Sequence, residues 1–398
     1  MKILILGGDG YLGWPTAMYL SRHGHQVAVL DNFAKRRWEL ELNAEPLIPI
    51  QTLHDRVEMW RTVEGRQLEL FVGDLRNYGV VEGVLDTFQP EAIVHYGEQP
   101  SAPYSMIDHN RSVFTQVNNI TGTLNLLWAI KKLKLECHVV KLGTMGEYGT
   151  PNIDIEEGFI EINHKGRTDT LPFPCQPGSF YHLSKVHDSH NIRFACRAWK
   201  LAATDLHQGV VYGIETDETK MDNNLATGFH YDDVFGTAIN RFCVQAAAGI
   251  PLTVYGKGGQ RRGFLNIRDT LRCVELAIVN PAQPGEYRVF NQFTETFSIL
   301  QLAELVADQA RKLGLAAEIL HLPNPRVEQE QHHYNPTHTK LLELGLQPRL
   351  LSNELIDTMM TTILEYKDRI KQEVILPKVK WNGDEQEMEA LKLMWAGA

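Results

Sequence analysis

Lys2-Ile3-Leu4-Ile5-Leu6-Gly7-Gly8-Asp9-Gly10-Tyr11-Leu12-Gly13 decides the fold. A short apolar run enters a glycine cluster that satisfies GxGxxG from Gly8 and GxxGxxG from Gly7, and an amphipathic helical pattern over 14–23 follows at once. Strand, Gly-rich turn and helix in that order form the context in which the glycines acquire meaning. They permit unusual backbone angles, close approach of backbone to a pyrophosphate, and tight packing of helix on strand. The first helical N–H groups then face the anion. Asp31, closing the second strand, can accept both ribose hydroxyls of an adenosine and repels a 2′-phosphate. The turn therefore predicts NAD, with Arg36 and Arg37 close enough to keep NADP as the alternative.

Outward from this turn, short apolar runs at 2–6, 26–30, 68–72, 92–95, 138–142 and 203–206 alternate with helical patterns at 14–23, 77–88, 115–132 and 179–199. Such alternation predicts an α/β fold, a Rossmann-type doubly wound parallel sheet with a smaller, mixed C-terminal substrate domain. Residues 34–66 form a long mixed stretch, and 150–178, rich in Pro, Gly, Asn and Asp, read as an ordered loop or lid. Beyond 210 the pattern turns irregular, then helical at 236–248, 268–279 and 298–314. The expected division is an NAD-binding domain over 1–210, with a returning segment near 260–292. A nucleotide-sugar-binding domain over 211–398 is interleaved with it. The charged residues from Trp381 onward read as a helix or a loose tail.

Composition narrows the class. A 43% hydrophobic fraction in 398 residues is ordinary for a globular enzyme. A formal net charge of -10 argues against general nucleic-acid binding, although Arg36-Arg37 and Arg261-Arg262 can meet a small anion. The five cysteines are widely spaced without a CxxC pair, which predicts reduced thiols and no metal site. No apolar stretch approaches the roughly 18 residues of a membrane span. The run after Met1-Lys2 is too short for a signal-peptide core. Cytoplasm is expected, or the plastid stroma if a transit peptide has been removed.

Tyr181-His182-Leu183-Ser184-Lys185 supplies YxxxK, which sets phenol and ammonium on one helix face. A neighbouring Lys⁺ favours phenolate, so Lys185 is expected to lower the Tyr181 pKa toward neutrality. The strand ending Lys141-Leu142-Gly143-Thr144 brings the Thr144 hydroxyl to the same cleft. Together these groups can hold and deprotonate an alcohol while a nicotinamide takes the hydride. Gly73-Asp74-Leu75 can meet the adenine amine, and Asn118 can brace the site through backbone contacts. The expected cofactor set is Gly7, Gly10, Tyr11, Leu12, Gly13, Asp31, Asn32, Arg36, Asp74, Leu75 and Asn118, joined by Tyr181, Lys185, Gln208 and Val211.

This combination resembles the extended short-chain dehydrogenase/reductase superfamily. Longer runs (Gly97-Glu98-Gln99, residues 101–108, 143–149, 180–190, 208–213, 255–260 and 324–328) resemble its UDP-sulfoquinovose synthase family from residue 2 to about 370. The resemblance implies catalytic Thr144, Tyr181 and Lys185, tightly held NAD, and UDP-glucose and sulfite as substrates. It implies oxidation at C4, loss of the C6 hydroxyl to an enone, addition of sulfite at C6, and return of the hydride. Dehydratases of the superfamily carry Asp-Glu after the threonine; here Met145-Gly146 stand there. His182 is the expected acid/base for the elimination, with Glu147 second. Gln208, Arg262 and Arg326 are expected on the nucleotide, and Thr253, Tyr255 and Gln292 on uracil or ribose. Plant members carry Arg after the Gly-Glu-Gln run, where this chain has Pro100, so any anion contact of that arginine must come from elsewhere. A helix-packed homodimer is usual for the superfamily. Whether sulfite arrives free or from a protein partner stays open. The competing readings are a UDP-glucose 4-epimerase or related epimerase/dehydratase, and a non-catalytic NAD-sensing scaffold.

Overall fold

The computed structural model describes residues 1–329, 332–377 and 379–383. Five strands lead: β1 (Lys2–Leu6), β2 (Gln26–Asp31), β3 (Glu69–Val72), β4 (Ala92–His95) and β5 (His138–Thr144). They alternate with α1 (Gly13–Arg22), α2 (Ala34–Leu42), α3 (Leu53–Glu64), α4 (Tyr78–Phe88) and α5 (His109–Leu133). After the hairpin β6 (Phe159–His164) and β7 (Arg167–Pro172) come α6 (Phe180–Trp199) and β8 (Ala202–Gln208). The remainder holds β9 (Val210–Tyr212), α7 (Ala238–Ala248), β10 (Leu252–Tyr255), β11 (Arg261–Asn266) and α8 (Ile267–Val279). Then follow β12 (Tyr287–Gln292), β13 (Glu295–Ser298), α9 (Ile299–Lys312), β14 (Ile319–Leu322), the single turn α10 (Lys340–Glu343) and α11 (Asn353–Glu365).

Among the described residues the main sheet is parallel throughout, in the order β12-β8-β5-β4-β1-β2-β3. Its central strands are covered on both faces. On β1, Ile3 and Ile5 point into a core with Trp14, Met18 and Trp60, while Leu4 and Leu6 point into another with Leu126, Leu127 and Ile130. The period of two in a strand sends alternate side chains to opposite faces, which is why the run must be apolar throughout. Strand order reverses between β1 and β4, so a crevice opens at their carboxyl ends, where doubly wound sheets bind ligands.

A separate core joins Phe242 and Val254 to Leu302, Val306, Met359 and Ile363, around the small sheets β13-β11-β9 and β10-β14. The chain returns to the main sheet at β12, whose residues 287–292 pair with 203–208 of β8.

Two readings of the sequence change, and a third lies mostly outside the described residues. The stretch 34–66 contains two helices, α2 and α3, the second capped by Thr52, whose hydroxyl accepts the Asp55 N–H. Residues 150–178 are not all loop: β6 and β7 pair antiparallel through Lys165-Gly166, both at positive φ. That is the backbone of a tight two-residue hairpin turn. The tail expected from Trp381 lies mostly outside the described residues, which end at Gly383.

Candidate active site

The glycine turn is set by backbone geometry. Gly7 has φ +85° and donates its N–H to the Leu30 carbonyl at 2.8 Å, which ties the end of β1 to β2. A side chain at 13 would strike the Gly7 carbonyl, so only glycine lets α1 start this close to the turn. Asp31 follows on β2. Its two oxygens accept the Asp9 N–H at 2.8 Å and the Phe33 N–H at 2.7 Å. Burial pushes its carboxyl up to about 6, and those two N–H groups oppose the rise. Asp74 receives Asn32 at 3.2 Å and Arg76 at 2.7 Å, on the adjoining wall.

Arg36 is committed elsewhere than to a 2′-phosphate. It grips the Asp9 carboxylate at 2.6 and 2.9 Å, and the fully buried Arg56 grips the same group. Two arginines spent on one carboxylate leave the turn suited to NAD. The sequence did not assign Asp9 this part, and nothing local in the glycine motif announces it.

Every residue expected at the cofactor except Lys185 lines one cleft of about 1910 Å³ open to solvent, and Thr144 and Gln208 line it too. The glycine cradle and the Asp31 carboxylate fit a dinucleotide. Lys185 stands behind Tyr181, its Nζ 5.8 Å from the phenol ring centre. It donates to the Leu142 carbonyl at 2.6 Å and pairs with Glu98 at 2.6 Å. Burial holds the Tyr181 phenol above its ordinary value, and the opposing pull of Lys185 is smaller. The expected pull of Lys185 is present, but burial outweighs it. Desolvation wins because Lys185 shares its charge with Glu98.

Asn118 faces the cleft but does not brace the backbone. Its amide reaches Asn119, 3.1 Å away. Asn119, the next residue on α5, does the bracing. It accepts the Gln99 N–H at 2.8 Å and donates to the Gln99 carbonyl at 3.2 Å and the Ser184 hydroxyl at 2.9 Å.

His182 and Glu147 part company. The imidazole of His182 packs by Tyr181, with ring centres 5.1 Å apart, and its Nδ1 lies 3.0 Å from the Ser179 hydroxyl. Burial, then the charges of Arg326 and Arg262, pull it down to about 3, so the ring is neutral. Glu147 turns away into a buried ionic network. It meets Lys141 at 3.3 Å and Ser189 at 2.8 Å, while Lys141 also holds Asp205 at 3.1 Å. Neither His182 nor Glu147 lines the cleft itself, but Glu147 is held in the buried network, away from the place expected of it as second acid/base for the elimination. Its Oε1 also accepts the Thr144 N–H at 3.3 Å, so it fixes the end of β5.

The nucleotide candidates are only partly gathered. Gln208 donates to Gln292 at 3.1 Å, linking β8 to β12. Arg262 pairs with Glu328, and Arg326 stacks 5.3 Å from the Trp381 ring centre. Thr253 is fully buried, its hydroxyl accepting from Gln245 at 3.0 Å, and is not available to uracil or ribose. Tyr255 lies against Arg241, 4.7 Å from ring centre to guanidinium, and Gln292 is buried between strands. Among the described residues, no helix is long and apolar enough to cross a membrane.

Residues 3–291 match the NAD dependent epimerase/dehydratase family, and the chain belongs to it, an enzyme with NAD as cofactor. It is 57% identical over 380 residues to UDP-sulfoquinovose synthase, chloroplastic, of Spinacia oleracea, across 96% of this chain and 79% of that protein. It is 43% identical over 384 residues to UDP-sulfoquinovose synthase of Sulfolobus acidocaldarius, across 96% of this chain and 98% of that one. Within the wider family it therefore stands with the UDP-sulfoquinovose synthases. The UDP-glucose 4-epimerase of Thermotoga maritima, solved with UDP-glucose, shares the fold at TM-score 0.67 and 19% identity, covering 92% of this chain and 99% of that one.

Proposed function

We propose that the chain converts UDP-glucose and sulfite to UDP-sulfoquinovose through a 4-keto sugar. The observation that carries the reading is His182. A neutral imidazole stands beside Tyr181, over Gly146, and Met145-Gly146 carry no acid side chain there.

The glycine turn, Asp31, Asp74 and Asn118 hold NAD, which when bound supplies reversible hydride transfer at sugar C4. Thr144 and Tyr181 hold the C4 hydroxyl, and Tyr181 takes its proton as the phenolate, the form that Lys185 favours and that the positive charge of bound NAD would favour further. The 4-ketone acidifies C5–H. His182, neutral and oriented by Ser179, takes that proton and delivers one to the departing C6 hydroxyl. Sulfite adds at C6 of the resulting enone, and the proton on Tyr181 returns to the C4 oxygen as C4 is reduced. Arg262 and Arg326 pair with the diphosphate, exchanging Glu328 and Trp381 for it.

The assembly we propose is a homodimer joined through α5 and α6, where Val117 and Trp128 are about half exposed. The compartment we propose is the cytoplasm, or the plastid stroma in a plastid-bearing source, as the name of the spinach relative says of that protein.

The test is incubation with UDP-glucose, with and without sulfite, followed by mass spectrometry. A sulfite-dependent product of the mass of UDP-sulfoquinovose is expected. UDP-galactose or a stable 4-keto sugar as the sole product, with or without sulfite, overturns the reading in favour of an epimerase or dehydratase. No turnover of any kind, unaltered in Tyr181→Phe, favours a sensing scaffold.

A further inference from the structure

Residues 227–237 run along the cofactor cleft from one rim to the other and are fastened at three places. At the glycine turn, the Thr227 hydroxyl donates to the Tyr11 carbonyl at 2.8 Å. On the rim formed by α2, His230 Nε2 lies 2.8 Å from the Glu39 carboxylate. The Lys35 ammonium lies 3.2 Å from the same ring and 3.0 Å from Glu39. On the opposite rim, after β4, the Ser101 hydroxyl donates to the Val234 carbonyl at 2.5 Å. There the Phe235 ring also stacks with Tyr104, ring centres 6.3 Å apart. His230 and Val234 line the cleft, as do Lys35, Glu39 and Ser101 on its two rims.

We infer that this segment is a strap over the dinucleotide, and that His230 is the positioning residue whose clasp on α2 sets how fast NAD enters and leaves. The inference needs the NAD site alone, so it stands or falls apart from the reaction proposed above.

The clasp is built to hold. Glu39 and His230 are each 5% exposed, so water and salt screen their contact little. Lys35 also stands 5.1 Å from the Phe235 ring centre, so one ammonium ties His230, Glu39 and Phe235 together. The strap moves as one piece. Asp232 Oδ1 accepts the Val234 and Phe235 N–H groups at 2.9 and 2.8 Å, and the Gly236 N–H reaches the Asp232 carbonyl at 3.0 Å. Residues 232–236 are thus a closed turn, with the side chain of Asp232 satisfying its backbone.

Both nitrogens of His230 are taken by the protein. Nδ1 lies 3.2 Å from Lys35 and 3.3 Å from the Gly228 carbonyl, and Nε2 meets Glu39. The clasp therefore joins protein to protein, and opening it costs the same whether NAD enters or leaves. Such a contact governs both rates together and leaves the affinity unchanged. Slow exchange suits a hydride that is lent and returned within one turnover.

The test loads the holoenzyme with radiolabelled NAD, adds excess unlabelled NAD, and follows the label that stays with the protein through rapid gel filtration. A saturation series with the same label gives the affinity. His230→Phe keeps a ring and loses both nitrogens. It is expected to exchange NAD about tenfold faster, the factor that one buried charge-assisted hydrogen bond adds to a barrier, at unchanged affinity. His230→Gln, whose amide can still donate to Glu39, is expected to restore slow exchange. Ser101→Ala, on the other rim, is expected to exchange faster as well, and decides the matter if His230→Phe does not fold. A wild-type exchange rate in His230→Phe or Ser101→Ala overturns the proposal. Equal rates in His230→Phe and His230→Gln overturn it too, since they assign the effect to packing. So does faster exchange with affinity lost in the same proportion, which marks a group that holds the cofactor itself.

Discussion

The imidazole of His182 occupies the space over Gly146: a side chain at 146 would overlap its Cδ2 and Nε2 atoms. Glycine at 146 is therefore what gives the His182 ring its place beside Tyr181.

Gly146→Glu should therefore displace the ring, and His182→Gln should remove its base while keeping its volume. Each is expected to lower sulfite-dependent turnover by about 10²–10⁴-fold, the usual range for a lost general acid–base. NAD content should be unchanged in both. Unaltered turnover in His182→Gln removes His182 from the scheme.

Tyr181→Phe should lower turnover by at least about 10²-fold with little change in thermal stability. The ring stays packed against His182, and among the described residues the phenol oxygen makes no hydrogen bond that the change removes. Single-turnover assays paired with thermal denaturation separate these two effects.

Glu147→Gln should act mainly on stability. Lys141 is fully buried, with Asp205 at 3.1 Å and Glu147 at 3.3 Å. The Lys141–Asp205 pair stays balanced, but Lys141 and Ser189 lose a charged hydrogen-bond acceptor in a buried place, at a cost of about 1–3 kcal/mol. Denaturant unfolding should show that loss, and a stability equal to wild type would falsify the structural reading of Glu147.

Acid should weaken the fold through histidines kept neutral. Burial pulls His95 down to about 4 and His138 to about 3. Their stabilising share is complete above the unfolded value of about 6.5 and is lost as pH falls through the folded values. At pH 5 each should have given up about 2 kcal/mol, because the unfolded chain binds the proton and the folded chain does not. His138→Gln should flatten the slope of stability between pH 6.5 and pH 5, read from unfolding midpoints.

Trp128→Glu should dissociate the proposed homodimer. Val113, Val117, Leu124 and Trp128 form one exposed apolar stripe along α5, between 37% and 49% exposed. Sedimentation should show a dimer for wild type and a monomer for the variant. A wild-type monomer contradicts the proposed assembly.

The Rossmann core was readable because its signals are local. An apolar run, a glycine turn and an amphipathic helix each lie within a few residues, and Tyr181 and Lys185 share a helix face by spacing alone. The hairpin at 159–172 was read as loop, although Phe159-Ile160-Glu161-Ile162 approaches period two and Lys165-Gly166 suits a tight turn. The polar composition around it obscured the signal. Asn118 and Asn119 show the limit. Adjacent residues on a helix point about 100° apart, and only the packing of α5 against the sheet tells which faces the cleft and which braces it.

The amino-acid sequence alone determined the alternating fold and the dinucleotide turn, and set Tyr181 and Lys185 on one helix face, because each follows from backbone preference and spacing. Tertiary structure alone decided which charges meet. It placed Glu98 on Lys185, spent Arg36 on Asp9, buried Thr253 against Gln245 and turned Glu147 from the sugar to Lys141. Those pairings join residues distant in the chain or depend on the direction a side chain takes within a packed core. Direction is set by which neighbours already fill the space, and no single segment carries that information.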